Sequence, residues 1–408
     1  APRLGVSYQL SQSTGRETVL RAGFGLFYDL GNQTAGSAFG NSFPYTAQKQ
    51  IPAPLFPLTV EQLTPPVPSV NLPATNTVYA FEPNLKLPRV YQWNLALEQS
   101  LGSHQTLSAT YLGAAGRDLL RQQTIFGPLL NNPNFLSPVV ITRNSATSDY
   151  HALQIQFQRR LTHGLQVLAF HSWSHSIDVA SRDSATIESL PIAGSQPEDD
   201  RGPSDFDFRH IFRTAITYDL PSPAGTGIGK ALLGHWSIDG IYNWQSAPPV
   251  DVLYFLSAFG LNLAVRPDYN QGVPLYITDS TVGGGKRFNP AAFSLPTTIR
   301  QGSLGRNTLR GFPLSQLDFV VRREFRFSER VKLHFRAEAF NVFNHPNFAN
   351  PASLLAFKLG TLVLPFPNFG RSENMLGRGL TQSTTAGLNP LYQIGGPRSL
   401  QFGLRLEY

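Results

Sequence analysis

Five carboxylates crowd one short stretch of the chain: Glu198, Asp199, Asp200, Asp205 and Asp207. Carboxylate oxygens are the hard ligands that Ca²⁺ takes, but this spacing fits no EF-hand loop. Arg201, Arg209 and His210 are interleaved with the acids. The expected use is therefore an ion-pair network that orders a loop. His171 and His175 stand four apart, as zinc histidines do on a helix. The segment His-Ser-Trp-Ser-His carries no glutamate base and sits at a strand end, so it is not the metalloprotease pattern. Gly283 to Lys286, G-G-G-K, lacks the full spacing and following Ser or Thr of a phosphate loop, and reads as a flexible loop tip. No G-x-S-x-G elbow exposes a serine. With no cysteine at all, thiol nucleophiles, disulfides and Cys-based metal sites are excluded. The expectation is a chain with no catalytic residue, no metal and no cofactor, whose ligand-binding residues stay unassigned.

The elements around these residues alternate with period two. The last eleven residues read R-S-L-Q-F-G-L-R-L-E-Y. Leu400, Phe402, Leu404, Leu406 and Tyr408 fall on one face of a strand, and Gln401, Gly403, Arg405 and Glu407 on the other. About eleven such strands are expected along the chain. They cover Arg3–Leu10, Thr18–Tyr28, Val90–Leu101, Gln105–Gly113, Tyr150–Leu161 and Gly164–Ser174. The series continues with Arg209–Leu220, His235–Gln245, Leu314–Phe327, Val331–Val342 and Ser399–Tyr408. These run about nine to fourteen residues, long enough for a tilted membrane span.

The connections alternate between short and long. Short ones are Ser11–Glu17, Gly102–His104, Thr162–His163, Pro221–Gly234 and Ser328–Arg330. Long ones are Asp29–Arg89, Ala114–Asp149, His175–Phe208, Ser246–Pro313 and Phe343–Arg398. Short periplasmic turns and long extracellular loops mark outer-membrane barrels, in which one strand face meets lipid and the other a polar lumen. Aromatic placement agrees. Trp93, Trp173 and Trp244 lie near long-loop ends, and Trp236, Tyr8, Tyr218, Phe327 and Tyr408 near short-turn ends, as two interfacial belts require. Arg323 alone falls on the lipid face. An odd strand count sits poorly with a closed antiparallel barrel and implies that the chain is the C-terminal part of a larger one.

Composition points the same way. Of 408 residues only 14% are charged and 12% are aromatic. Soluble domains carry about 25% charge. No run of apolar residues is long enough for a membrane helix. The net charge of +7 is dispersed, with no basic run, so no nucleic-acid partner is expected. Ala1 enters directly into strand alternation, with no visible signal peptide.

Several motifs resemble those of Oar-like TonB-dependent outer-membrane receptors. They include P-R-L-G-V-S-Y at Pro2–Tyr8, V-L-R-A-G-F-G-L-F-Y-D at Val19–Asp29 and Y-Q-W-N-L at Tyr91–Leu95. Others are Y-H-A-L-Q-I-Q-F-Q-R-R-L at Tyr150–Leu161, W-S-H-S-I-D at Trp173–Asp178 and D-R-G-P-S-D-F-D-F-R-H at Asp200–His210. F-N-P-A-A-F at Phe288–Phe293, L-G-R-N-T-L-R-G at Leu304–Gly311 and R-A-E-A-F-N-V-F-N-H-P-N-F at Arg336–Phe348 complete the set. The resemblance implies a barrel of about 22 strands around a plug, of which residues 1–408 supply the C-terminal wall without plug or N-terminal domains. It implies uptake of an unidentified ligand, contact with the TonB system through the plug region, and a terminal strand read by the barrel-assembly machinery. The signal residues would be Leu400, Phe402, Leu404, Leu406 and Tyr408.

In such a barrel Arg21, Glu98, Arg160, Asp239, Arg322, Glu324, Lys332, Arg336, Glu338 and Arg405 line the lumen, and the opposite face meets outer-membrane lipid. Three rivals remain open on sequence: a passive or adhesive barrel acting through its loops, a membrane-embedded hydrolase, and a soluble all-β protein.

Overall fold

The structure is a computed structural model. It describes residues 2–29, 45–46, 51, 56–66, 73, 77–125, 132–181, 197–223, 233–258, 261–377 and 394–408. Eleven strands form the path of its main sheet, and two short ones, Val78–Phe81 and Gly202–Pro203, pair with it off that path. The eleven are β1 (Arg3–Ser11), β2 (Thr18–Tyr28), β3 (Arg89–Ser100), β4 (Gln105–Ile125), β5 (Val139–Thr162) and β6 (Leu165–Asp178). The rest are β7 (His210–Asp219), β8 (Trp236–Gln245), β9 (Leu314–Arg326), β10 (Lys332–Phe340) and β11 (Ser399–Glu407). Each pairs antiparallel with the next in sequence. β1 and β11 do not pair, so among the described residues the sheet is open.

Local chemistry explains the hairpins. His163 and Gly164 sit at φ 50° and 75°. Two consecutive residues with positive φ make the tight turn whose twist matches flanking strands. Gly15 and Gly102 also take positive φ, and the Gly102 N–H donates to the Gly15 carbonyl at 2.8 Å. The two turns therefore abut at the same end of the sheet.

Three strands outrun expectation. β4 and β5 reach 21 and 24 residues, so most of the expected loop Ala114–Asp149 is a hairpin that extends the sheet. Its register shifts around Leu119, beside Asp118 at φ 54°. That bulge interrupted the strict alternation and hid the extension. β6 likewise runs on to Asp178, placing His171 and His175 inside a strand. Of the Pro-rich segment Pro52–Pro73, a single capped helical turn, Val60–Leu63, is seen. Residues 52–55 and 67–72 lie outside the described residues.

The buried core is not under the main sheet. It lies in the long connections. Leu261–Val265, Leu253–Ala258, Leu354–Leu359 and Leu362–Pro365 form a separate four-stranded sheet in that order. Its central contact is parallel and joins the connection after β8 to the one after β10. Val252, Tyr254, Val265, Phe288, Leu309 and Phe369 belong to the core cluster beneath it. In contrast Leu400, Phe402, Leu404 and Leu406 on β11 are exposed. A membrane wall has this inverted arrangement, apolar outward and core in the loops.

The G-G-G-K segment is not a loose tip. Gly283–Gly285 forms a short 3₁₀ turn, and a Cβ on Gly284 would lie 2.2 Å from the Phe312 ring. Lys286 Nζ sits 5.1 Å from the centre of that ring.

Candidate functional site

At the long-connection end of the sheet, arginines and aspartates from distant segments interlock. Arg306 Nη1 donates to Asp178 at 2.5 Å, and its Nη2 to Asp205 at 3.2 Å. Arg310 Nη2 donates to Asp207 at 2.7 Å, and Asp207 also accepts from the Ser176 N–H at 2.8 Å. Asp200 is held between Arg121 of β4 and Arg266, the latter at 2.6 Å. Arg121, Arg266, Asp178, Asp200 and Asp207 are all buried. Buried charges persist only when paired and hydrogen-bonded in this way. Asn307 Nδ2 adds bonds to Asp205 at 2.7 Å and to the Pro203 carbonyl at 2.8 Å.

The acidic stretch therefore orders loops through ion pairs, as its sequence suggested, but with other partners. Arg201 reaches out to Asp149 at 2.7 Å rather than to its neighbours. His210 stacks on His171, ring centres 5.6 Å apart. Arg209 offers its backbone carbonyl to Ser174. The arginine partners of the stretch lie 66 to 103 positions away, and two of them, Arg306 and Arg310, fall in the L-G-R-N-T-L-R-G motif.

His175 contacts Asp207 at 3.1 Å through Nδ1. An Asp–His pair would suit a hydrolase. The adjacent Ser176 hydroxyl instead contacts Ser204 Oγ at 2.8 Å, and neighbours on a strand point to opposite faces. His171 and His175 share a face, but their ring partners are His210 and Asp207 respectively.

A polar cavity of about 210 Å³ opens where three connections meet. Ser181, Asp205, Asp251, Arg306, Asn307 and Ser353 are among its lining residues. Burial pushes the Asp251 carboxyl up to about 6, against the opposing pull of Arg266, the Asn307 N–H and Arg306. Burial also works against Asp207, but Arg310, the Ser176 N–H and His175 together hold its carboxyl below the usual range.

The charged residues expected to line the lumen fall on one sheet face by register, and several are paired. Arg21 bonds Glu98 at 3.1 Å, and Arg322 bonds Asp239 at 2.6 Å. Arg336 pairs with Glu338, and Glu324 with Arg326. Lys332 stands opposite Glu407, and Arg405 opposite His334. Arg160 contributes a backbone N–H to the His104 carbonyl. On the opposite face Arg323 causes no slip in register. Its guanidinium lies 4.9 Å from the Trp236 ring and 4.2 Å from the Phe325 ring, an aromatic cage that accommodates the cation.

Comparison with solved structures finds distant similarities. The chain is similar to the outer membrane transporter YddB from Escherichia coli, at 11% identity and a TM-score of 0.47. That match covers 88% of this chain and 38% of YddB. It is also similar to the pyoverdine outer membrane receptor FpvA from Pseudomonas aeruginosa PAO1, at 11% identity and a TM-score of 0.45, over 100% of this chain and 36% of FpvA. The chain thus spans under two fifths of the length of either structure. A search of curated proteins found no match. Residues 1–386 match the family described as outer membrane beta barrel domain. The chain belongs to that family, and its place is the outer membrane of a Gram-negative bacterium.

Proposed function

We propose that the chain is the C-terminal part of the wall of an Oar-like, TonB-dependent receptor, and that the whole protein takes up a ligand across the outer membrane. The observation that carries this reading is strand parity. Eleven strands in antiparallel succession leave β1 and β11 running the same way. Closing them on each other would make a parallel contact. An even antiparallel barrel takes an odd number of further strands between them, and those strands would belong to the same protein.

In this reading the interlocked loops form a stable extracellular rim that captures ligand. The Arg21–Glu98, Asp239–Arg322 and Arg336–Glu338 pairs, with Arg160, Glu324, Lys332 and Arg405, form the lumen wall that hydrogen-bonds the plug and water. Leu400, Phe402, Leu404, Leu406 and Tyr408 face lipid and present the strand that the barrel-assembly machinery reads. TonB contact is made by the plug, outside residues 1–408.

The test is the coding sequence upstream of Ala1. Further alternating strands, odd in number, behind a plug with a TonB-contacting segment support the reading. A start codon and export signal immediately upstream would mean a small complete barrel and remove active transport.

A further inference from the structure

Small residues hollow one region of the sheet face that carries Arg21 and Glu98. One cross-strand row runs Arg3, Gly25, Gln92, Ala114, Tyr150 in direct register over β1 to β5. The next row runs Gly5, Gly23, Asn94, Leu112, Ala152. Gly25 and Ala114 in the first row, and Gly5 and Gly23 in the second, put little or no side chain on the wall, and the Asn94 amide lies over Gly23. Phe27 uses that space: a Cβ on Gly25 would sit 2.8 Å from its ring, so only glycine lets the ring lie across the strand. The Arg3 guanidinium then covers Phe27 at 4.6 Å.

The result is a recess of about 400 Å³. Phe27, Leu112 and Tyr150 supply apolar and aromatic surface, and Gln92 and Asn94 supply amides. Arg3 supplies positive charge, and none of the ion pairs among the described residues uses it. The volume is that of a small-ligand pocket. Aromatic walls favour a flat ring laid against them. A guanidinium stacked on an aromatic keeps its edge donors free for a planar anion.

We propose that this recess binds a planar aromatic anion, an aryl carboxylate or sulfonate of one or two fused rings. Nothing in the uptake reading requires it, and binding tests it without any need for transport. The charge argues for a small anion over an apolar side chain from a protein segment.

The experiment is equilibrium dialysis of 2-naphthoate against the full chain in detergent micelles, with protein-free micelles subtracted. Retention of naphthoate is expected, with 2-naphthylmethylammonium about ten-fold weaker. Phe27→Ala and Arg3→Gln should each weaken naphthoate binding about five-fold. Ala114→Leu should block it by filling the floor. Leu107→Val, on the opposite face, should leave it unchanged. Circular dichroism checks the sheet in every variant, and Phe27→Ala and Arg3→Gln keep the test alive if Ala114→Leu does not fold. Equal binding of the anion and the cation, or full affinity in both Phe27→Ala and Arg3→Gln, would overturn the proposal and leave the recess to a protein segment or to partition into detergent.

Discussion

Arg306, between β8 and β9, donates to the carboxylate of Asp178 at the end of β6 at 2.5 Å. The contact spans 128 positions in sequence and is buried on both sides. With the Arg310–Asp207 and Arg266–Asp200 pairs, it fixes the largest loop onto the sheet rim.

Arg306→Ala strands the buried carboxylate of Asp178 and takes one partner from the part-exposed Asp205. Removing one partner of a buried pair costs about 3–5 kcal/mol. The loss should be local. Hydrogen exchange should speed up across the connection 246–313 and the end of β6, while β9 and β10 stay protected. Unchanged protection in that connection would show that Arg306 does not fasten it.

Asp251 sets a pH dependence with an unusual sign. Its folded value near 6 stands above the unfolded value of about 3.9, so the folded state holds the proton more tightly. Its contribution to loop stability is greatest below pH of about 4 and is lost as pH rises towards 6. Asp207 acts oppositely: its lowered value stabilises above the unfolded value and is lost on acidification. Asp251→Asn should therefore make the loops more resistant to protease at pH above 6, with little change at acid pH. Faster cleavage of the variant at neutral pH would contradict this.

Gly113 is fixed by Trp93. A Cβ at Gly113 would meet Trp93 Cε2 at 2.1 Å, and the ring also packs 6.1 Å from His151. Gly113→Ala should displace the indole and cost about 1–3 kcal/mol through overpacking. Gly5→Ala, with nothing within 4 Å of the added atom, should be tolerated. Trp fluorescence and the temperature of heat-induced unfolding in detergent report both; equal behaviour of the two variants would refute the contact.

Phe402 on β11 is 70% exposed, and Gly403 turns to the other face with Arg336 Cβ at 3.9 Å. Phe402→Arg places a cation on the lipid side, at a cost of about 2–4 kcal/mol near the midplane. Outer-membrane levels should fall sharply, while Gly403→Ala keeps them. Normal levels of Phe402→Arg in the membrane fraction would contradict the assignment of that face.

The wall was legible in the sequence because alternation needs only local residues. The eleven strands read from the sequence lie along the path of the main sheet, with ends shifted where bulges or long hairpins intervene, as around Leu119, whereas two short strands off that path were not read. The loop assembly was not legible. Its strands are two to six residues long, and its central pairing joins Leu253–Ala258 to Leu354–Leu359, which no local pattern foretells. Arg323 shows the same limit. Alternation flagged it as misplaced, but its cage comes from Phe325 two residues on and from Trp236, a neighbour only through cross-strand register.

Topology is the most direct measurement. The chain contains no cysteine, so single cysteines report position without background. Thr361→Cys and Ser280→Cys lie at exposed positions in the long connections, and Ser103→Cys and Glu329→Cys in exposed short turns. In intact cells a membrane-impermeant maleimide should label the first two, and the turn positions should react only after the outer membrane is permeabilised. Labelling of Ser103→Cys and Glu329→Cys in intact cells, with Thr361→Cys and Ser280→Cys protected, would contradict a wall that spans the outer membrane with its long loops outside.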